Sequence, residues 1–191
     1  MRQVSDNEIR AILRIAGDCL ALSGDYVELG CFEGDTSLLL AELLKNNKSD
    51  KKLWIYDSFE GLPEKTDEDF SEIGKDFKKG ELFTTKRFVK QRFLRANLPV
   101  PIIKKAWFSD LNPEVDLPER IAFAFLDGDL YESINTSLDL VYPKMAEEGK
   151  ILVHDYNNPQ LPGVTKAVEE FILNKKLRLN LAGTVAIISY S

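Results

Sequence analysis

The run Ile121-Ala122-Phe123-Ala124-Phe125-Leu126 is continuously apolar and stops at Asp127-Gly128-Asp129. A surface helix would interrupt such a run with polar residues, and a half-exposed strand would alternate. Unbroken apolarity over so short a length suits a strand covered on both faces, as at the centre of a parallel sheet. Parallel neighbours need crossover connections, so the chain around this run should alternate strands with helices.

That alternation is present. Ile9, Ile12, Leu13, Ala16 and Leu20 form a stripe at helical spacing, with Ser5 or Asp6 as its cap. Residues 25–30 read as a first strand, 35–44 as a helix and 52–57 as a second strand. Further strands are expected at 100–104, 121–127 and 149–154, with helices at 131–142 and 164–173 and a closing antiparallel pair at 177–181 and 184–189. Pro143 should stop the helix before it.

Residues 60–98 break the pattern. The spacing predicts helices over 67–79 and 84–97, separated around Gly80, with Phe70, Ile73 and Phe77 on one face and Phe88, Phe93 and Leu82 on another. The block is too long for an ordinary crossover and too apolar for disorder. It is expected to be a helical lid inserted into a single domain spanning residues 1–191. The expected fold class is α/β, a three-layer Rossmann-like arrangement with a mostly parallel sheet, an antiparallel closing strand and that lid.

Composition narrows the function classes. At 191 residues with 44% hydrophobic content, one domain can bury a full core without staples. The formal charge of -6 gives no general attraction for nucleic acid, and basic runs such as Lys104-Lys105 and Lys175-Lys176 are short. Cys19 and Cys31 sit in a helical pattern and a Gly-rich turn, which suits neither a disulfide framework nor a zinc cluster. No apolar leader follows Met1, and no stretch approaches the roughly 20 apolar residues of a membrane span. The expectation is a cytoplasmic protein with no membrane and no nucleic-acid partner.

Ligands of open parallel sheets lie beyond the C-terminal strand ends, and the distinctive polar residues collect there. Gly30 and Gly34 allow a tight turn into the helix that carries Ser37, but the middle glycine of a dinucleotide fingerprint is missing. Glu28, Glu33 and Asp35 make that turn acidic, better suited to a cationic ligand such as a sulfonium with its α-amino group than to a pyrophosphate. Glu28 is the candidate partner for the ammonium, or else a buried turn acceptor. Asp57 ends the second strand, where a carboxylate can accept from both ribose hydroxyls of a nucleoside. Ser58 and Phe59 follow it, Phe59 as a stacking partner for adenine or as an apolar anchor, and Asp110 is a candidate acceptor for the adenine amino group.

On the other side, Asp127, His154 and Asp155 carry oxygen and nitrogen donors for a divalent metal, Mg²⁺ first and Mn²⁺ as the alternative. A bound metal would acidify a substrate hydroxyl, leaving Asp129 as general base with His154 as the competing candidate. Tyr131, Glu132, Tyr156, Asn157 and Asn158 are candidates for the acceptor pocket, and Arg87, Arg92 and Arg95 are either acceptor contacts or solvated surface. These residues leave open a methyltransferase, a metal-dependent hydrolase, a nicotinamide oxidoreductase and a noncatalytic nucleoside-binding module.

Four stretches carry a resemblance: residues 26–34, 56–63, 125–133 and 149–164. Together they resemble the macrocin O-methyltransferase family, whose members use S-adenosylmethionine and a divalent metal to methylate sugar hydroxyls on natural products. The resemblance implies that Glu28 and Gly30 meet the methionyl portion, Asp57 holds the ribose, Asp127 and Asp155 bind metal, and Asp129 is the base. It implies a small hydroxyl-bearing acceptor, a sugar or natural product. His154 departs from the family pattern, which commonly has a second aspartate there. The opening helix and the inserted block are the candidate surfaces for a homodimer.

Overall fold

The computed structural model describes residues 4–73, 77–175 and 177–190. Its sheet has the strand order β3-β2-β1-β4-β5-β7-β6. The strands are β1 (Asp25–Leu29), β2 (Leu53–Asp57), β3 (Ile102–Lys105), β4 (Ile121–Leu126), β5 (Met145–Val153), β6 (Arg178–Ala182) and β7 (Val185–Ser189). The first five run parallel, while β7 is antiparallel to both β5 and β6. The order reverses at β1, which lies between β2 and β4, and that reversal opens a crevice at the C-terminal strand ends.

The continuous apolar run is the middle strand. Every side chain of β4 is buried, and the strand serves two cores. Phe123 and Phe125 join the cluster with Ile12 of α1 (Asp6–Asp18), Leu40 of α2 (Asp35–Asn46) and Phe93 of α3 (Lys86–Arg95). Ala124 and Leu126 face the opposite cluster, with Leu138 of α5 (Tyr131–Val141) and Val168 of α6 (Pro162–Lys175). A short α4 (Pro113–Asp116) lies between β3 and β4. Ser5 caps α1 in a reciprocal capping box with Glu8. Among the described residues no helix is long and apolar enough to cross a membrane.

Differences from the sequence reading are modest in the sheet. β5 starts at Met145 rather than at 149, and α6 starts at Pro162, a residue suited to a first helical turn. The inserted block departs further. The helix expected over 67–79 is only a 3₁₀ turn at Asp67–Asp69, and residues 74–76 lie outside the described residues. Phe70 and Ile73 are 75% and 71% exposed, so their spacing does not mark a packed face. The Asp69 carboxylate accepts from the Thr66 backbone N–H and from the Tyr131 N–H instead, which turns the chain out of a helical path. The second expected helix is α3, capped by Thr85, and it buries Val89 and Phe93 while Phe88 stays 38% exposed.

Because Phe125 fills the space between β4 and the α1–α2 layer, Phe125→Ala should lower the unfolding free energy by about 3–5 kcal/mol. Urea denaturation followed by circular dichroism measures this, and a loss under about 1 kcal/mol would contradict the packing described.

Candidate active site

The sheet register places the site. Leu29, Leu126 and Val153 lie side by side at the ends of β1, β4 and β5. The pairing continues one residue further, since Asp127 N–H donates to the Leu29 carbonyl (2.9 Å) and His154 N–H to the Leu126 carbonyl (3.0 Å). Gly30, Asp127 and His154 therefore emerge in a row. Gly30 has φ +88°, and a Cβ there would lie 2.1 Å from the Asp127 carbonyl oxygen. Only glycine lets the first turn approach the second so closely.

Beyond that row, the imidazole of His154 is buried between carboxylates. Its Nδ1 is 2.9 Å from Asp127 Oδ1 and 3.2 Å from Asp155 Oδ2. On the far side Nε2 faces Glu8 Oε2 at 3.9 Å. Burial opposes a charge on His154, but Asp127 and Asp155 outweigh it and push its pKa up to about 11. Asp155 is likewise disfavoured by burial, yet the hydrogen bond from His154 holds its carboxyl below the ordinary value. Asn158 Nδ2 donates to the other Asp155 oxygen at 2.7 Å. Burial also works against the charge of Glu8, and hydrogen bonds from Ser5 and Thr184 overcome it and bring the carboxyl down to about 2.

Asp129 and Asp155 both occupy the left-handed region, with φ +63° and +59°. Aspartate tolerates that conformation better than most residues, at some cost in strain. Burial, with Asp127 and Asp155 nearby, raises the Asp129 pKa well above the usual carboxylate range.

A cavity of about 250 Å³ opens beside this cluster. Glu28, Gly30, Asp57 and Ser58 line it together with Asp127 and Asp129. Glu28 is 1% exposed and accepts a hydrogen bond from Ser37 Oγ. Burial pushes its carboxyl up to about 8. Asp57 knits two loops together, its Oδ2 accepting from the N–H groups of Cys31 (2.9 Å) and Phe32 (3.2 Å), its Oδ1 from Phe59 (2.7 Å). Ser37 and Gly34 do not line the cavity; Ser37 is bonded to Glu28 and Gly34 is the N-cap of α2.

Phe59 and Asp110 also lie off the cavity wall. Phe59, with φ +53°, is buried in the core cluster with α1 and α2, so it acts as the apolar anchor and not as an exposed stacking surface. Asp110 closes a 3₁₀ turn and is exposed, while Trp107, Phe108 and Ser109 line the cavity just before it. Glu132, Ser133 and Thr136 of α5 complete that side. Tyr131 Oη donates to Glu170, Tyr156 is buried in the core, and Asn157 is exposed. Arg92 binds Asp35 and the Glu33 carbonyl, whereas Arg87 and Arg95 are exposed.

Residues 6–186 match the family model for macrocin-O-methyltransferase (TylF). The chain belongs to this family. Demethyldecarbamoylnovobiocin O-methyltransferase from Streptomyces niveus is 28% identical over 78% of this chain and 58% of its own length. A 4'-O-methyltransferase from Streptomyces olivaceus, named for an 8-demethyl-8-(2,3-dimethoxy-alpha-L-rhamnosyl)-tetracenomycin C, is 30% identical over 70% of this chain and 53% of its own length. The chain thus spans little more than half the length of these curated relatives. In structure it is similar to the O-methyltransferase NovP, with TM-score 0.85 at 24% identity over 100% of this chain and 82% of that one. CalS11, a calicheamicin methyltransferase, gives TM-score 0.80 at 17% identity over 100% of this chain and 81% of that one. The fold is the Rossmann-like methyltransferase fold.

Within the macrocin-O-methyltransferase framework, Glu8 is the group that sequence reasoning missed. Its Ser5-x-x-Glu8 spacing reads as a helix cap, and nothing local reveals that it also meets Thr184 and faces His154. Trp107, Phe108, Ser109 and Thr136 carry no motif, and only the sheet order brings them to the crevice.

The raised Glu28 pKa sets a pH dependence. The folded protein keeps a proton on Glu28 that the unfolded chain releases near pH 4.5, so this group's contribution to stability falls as pH rises from about 4.5 through about 8. Glu28→Gln should therefore match the parent near pH 4.5 and become progressively more stable than it toward pH 8. Urea unfolding across that range checks this, and a pH-independent difference would contradict it.

Proposed function

We propose that the protein transfers a methyl group from S-adenosylmethionine to a hydroxyl of a sugar-bearing or other diol-containing small molecule. One observation carries the reading: an acid-lined cavity and the Asp127–His154–Asp155 cluster share the ends of adjacent central strands. The relatives' names, one of them specifying a rhamnosyl compound, support an O-linked acceptor of this class.

In this reading Glu28 and Gly30 receive the methionyl portion, with Ser37 orienting Glu28. A buried carboxylate that ionises near neutral pH is suited to an incoming ammonium. Asp57 and Ser58 hold the ribose, and the Trp107–Ser109 side of the cavity takes the adenine. The inserted block, through Gly61, Leu62, Pro63 and Leu82 at the cavity, covers the acceptor.

The donor set fits a divalent ion, because one ligand atom from each of Asp127, His154 and Asp155 lies within 4.8 Å of the others. Two carboxylates with an imidazole suit Mg²⁺ or Mn²⁺, the nitrogen shifting preference toward Mn²⁺. When bound, the ion would acidify the acceptor hydroxyl and offset the local negative charge. His154 Nδ1 faces both carboxylates, so in its neutral form the imidazole would hold the ion together with Asp127 and Asp155. Asp129, outside that donor set and on the cavity lining, is the group left to take the acceptor proton in its ionised form. The sulfonium–methyl bond breaks as the oxygen–methyl bond forms, sulfur keeps the electron pair, and the hydroxyl proton goes to Asp129. A pyrophosphate-bearing nicotinamide cofactor is disfavoured by Glu28, Glu33 and Asp35 around the cavity.

Incubation with methyl-labelled S-adenosylmethionine, Mn²⁺ or Mg²⁺ and a panel of deoxysugar glycosides and catechols tests the proposal. The expected result is label on an acceptor oxygen, reduced by about 10²–10⁴-fold in Asp129→Asn with S-adenosylmethionine affinity retained. Absence of calorimetric binding of S-adenosylmethionine to the parent protein, with and without metal, would overturn the reading.

A further inference from the structure

The helix that follows the Asp127–Asp129 turn lacks a cap of its own. Leu130 is the N-cap of α5 and supplies no side-chain hydrogen bond. The cap comes from the inserted block, 62 residues earlier in sequence: Asp69 Oδ1 accepts the Tyr131 N–H at 2.8 Å. Its other oxygen accepts from Thr66 N–H and Thr66 Oγ1, both at 3.0 Å, so the carboxylate is held from both sides and only 2% exposed.

The fit on the α6 side is equally close. A Cβ on Gly163 would lie 2.0 Å from Asp69 Oδ1 and 2.9 Å from Tyr131 Cβ. Ser71 Oγ donates to the Pro159 carbonyl at 2.6 Å, and Lys166 reaches Glu68 at 3.3 Å. This arm therefore crosses the N-terminal ends of α5 and α6, the helices that follow the two site turns.

We propose that Asp69 is a positioning residue, clasping the start of α5 so that the Asp127–Gly128–Asp129 turn keeps the geometry required for cofactor binding and proton transfer. The functional half of this inference rests on the methyltransferase reading; the clasp itself does not. A buried carboxylate accepting a helix-terminal N–H satisfies an orphan donor and complements the helix dipole. It also limits fraying of the first turn, whose Glu132 and Ser133 line the cavity with Gly128 and Asp129. Asp129 is in the left-handed region, where the backbone depends on its surroundings to stay in place. Residues 66–71 thus brace the starts of α5 and α6 from behind the cavity lining, distinct from any covering role of the rest of the block.

Backbone amide exchange of Tyr131, read by NMR, tests the clasp without any ligand. Asp69→Ala should speed exchange of Tyr131 at least tenfold while β4 amides keep their protection. Asp69→Asn, which retains an acceptor oxygen, should restore it to within threefold. Gly163→Ala, which crowds Asp69 without removing it, should speed exchange as well and covers the case in which Asp69→Ala does not fold. In parallel, calorimetry with S-adenosylhomocysteine should show roughly tenfold weaker binding in Asp69→Ala and less than twofold change in Asp69→Asn. Unchanged Tyr131 exchange in both Asp69→Ala and Gly163→Ala would overturn the clasp. Faster exchange with unchanged S-adenosylhomocysteine affinity would overturn the positioning role. If the parent binds no S-adenosylhomocysteine, the methyltransferase reading and the positioning role fail together, while exchange still decides the clasp.

Discussion

The close approach of Gly30 to the Asp127 carbonyl is the constraint on which the rest of the site depends. It locks the turn after β1 against the turn after β4, and the parallel register carries the same alignment on to His154 after β5. A substitution that separated the first two turns would move the Gly30 side of the cavity away from Asp127. The two buried layers make this lock rigid, because β4 alternates its side chains between them and neither layer can shift alone.

Electrostatics then determine what such a lock can hold. Asp127, Asp129, Asp155, Glu28 and Glu8 bring many carboxyl groups into one region, with the His154 imidazole between Asp127, Asp155 and Glu8. Glu8 responds differently from Glu28 and Asp129. Glu8 stays ionised because hydroxyl and amide donors surround it, whereas Glu28 and Asp129 hold protons more tightly because they are buried with few donors. A cationic cofactor beside Glu28 and a divalent ion beside Asp127 would relieve the two halves of this imbalance separately. The clustering is thus consistent in charge with the two cationic ligands proposed for this crevice.

Much of the fold was legible in the sequence because periodicity is local. The apolar run at residues 121–126, the turn glycines and the strand-end acids each reveal themselves within a few residues, and parallel topology then assembles them. The inserted block was misread in its first half for the converse reason. Phe70 and Ile73 have helical spacing, but the conformation is set by Asp69 reaching Tyr131 across 62 residues. Asp110 was similarly assigned by its neighbours in sequence, while a 3₁₀ turn leaves it at the surface; for Phe59, burial in the core agrees with the apolar anchor rather than the stacking surface. Glu8 was hidden because a cap and a site-facing carboxylate look identical in sequence.

The most direct test of the account is a crystal soaked with Mn²⁺ and S-adenosylhomocysteine, with anomalous scattering used to locate the metal. The account predicts one anomalous peak bonded to Asp127, Asp155 and Nδ1 of His154, with the nucleoside in the adjoining cavity and its ribose at Asp57. A peak elsewhere, or a nucleoside bound while His154 keeps its hydrogen bonds to both aspartates and no metal lies between them, would contradict it.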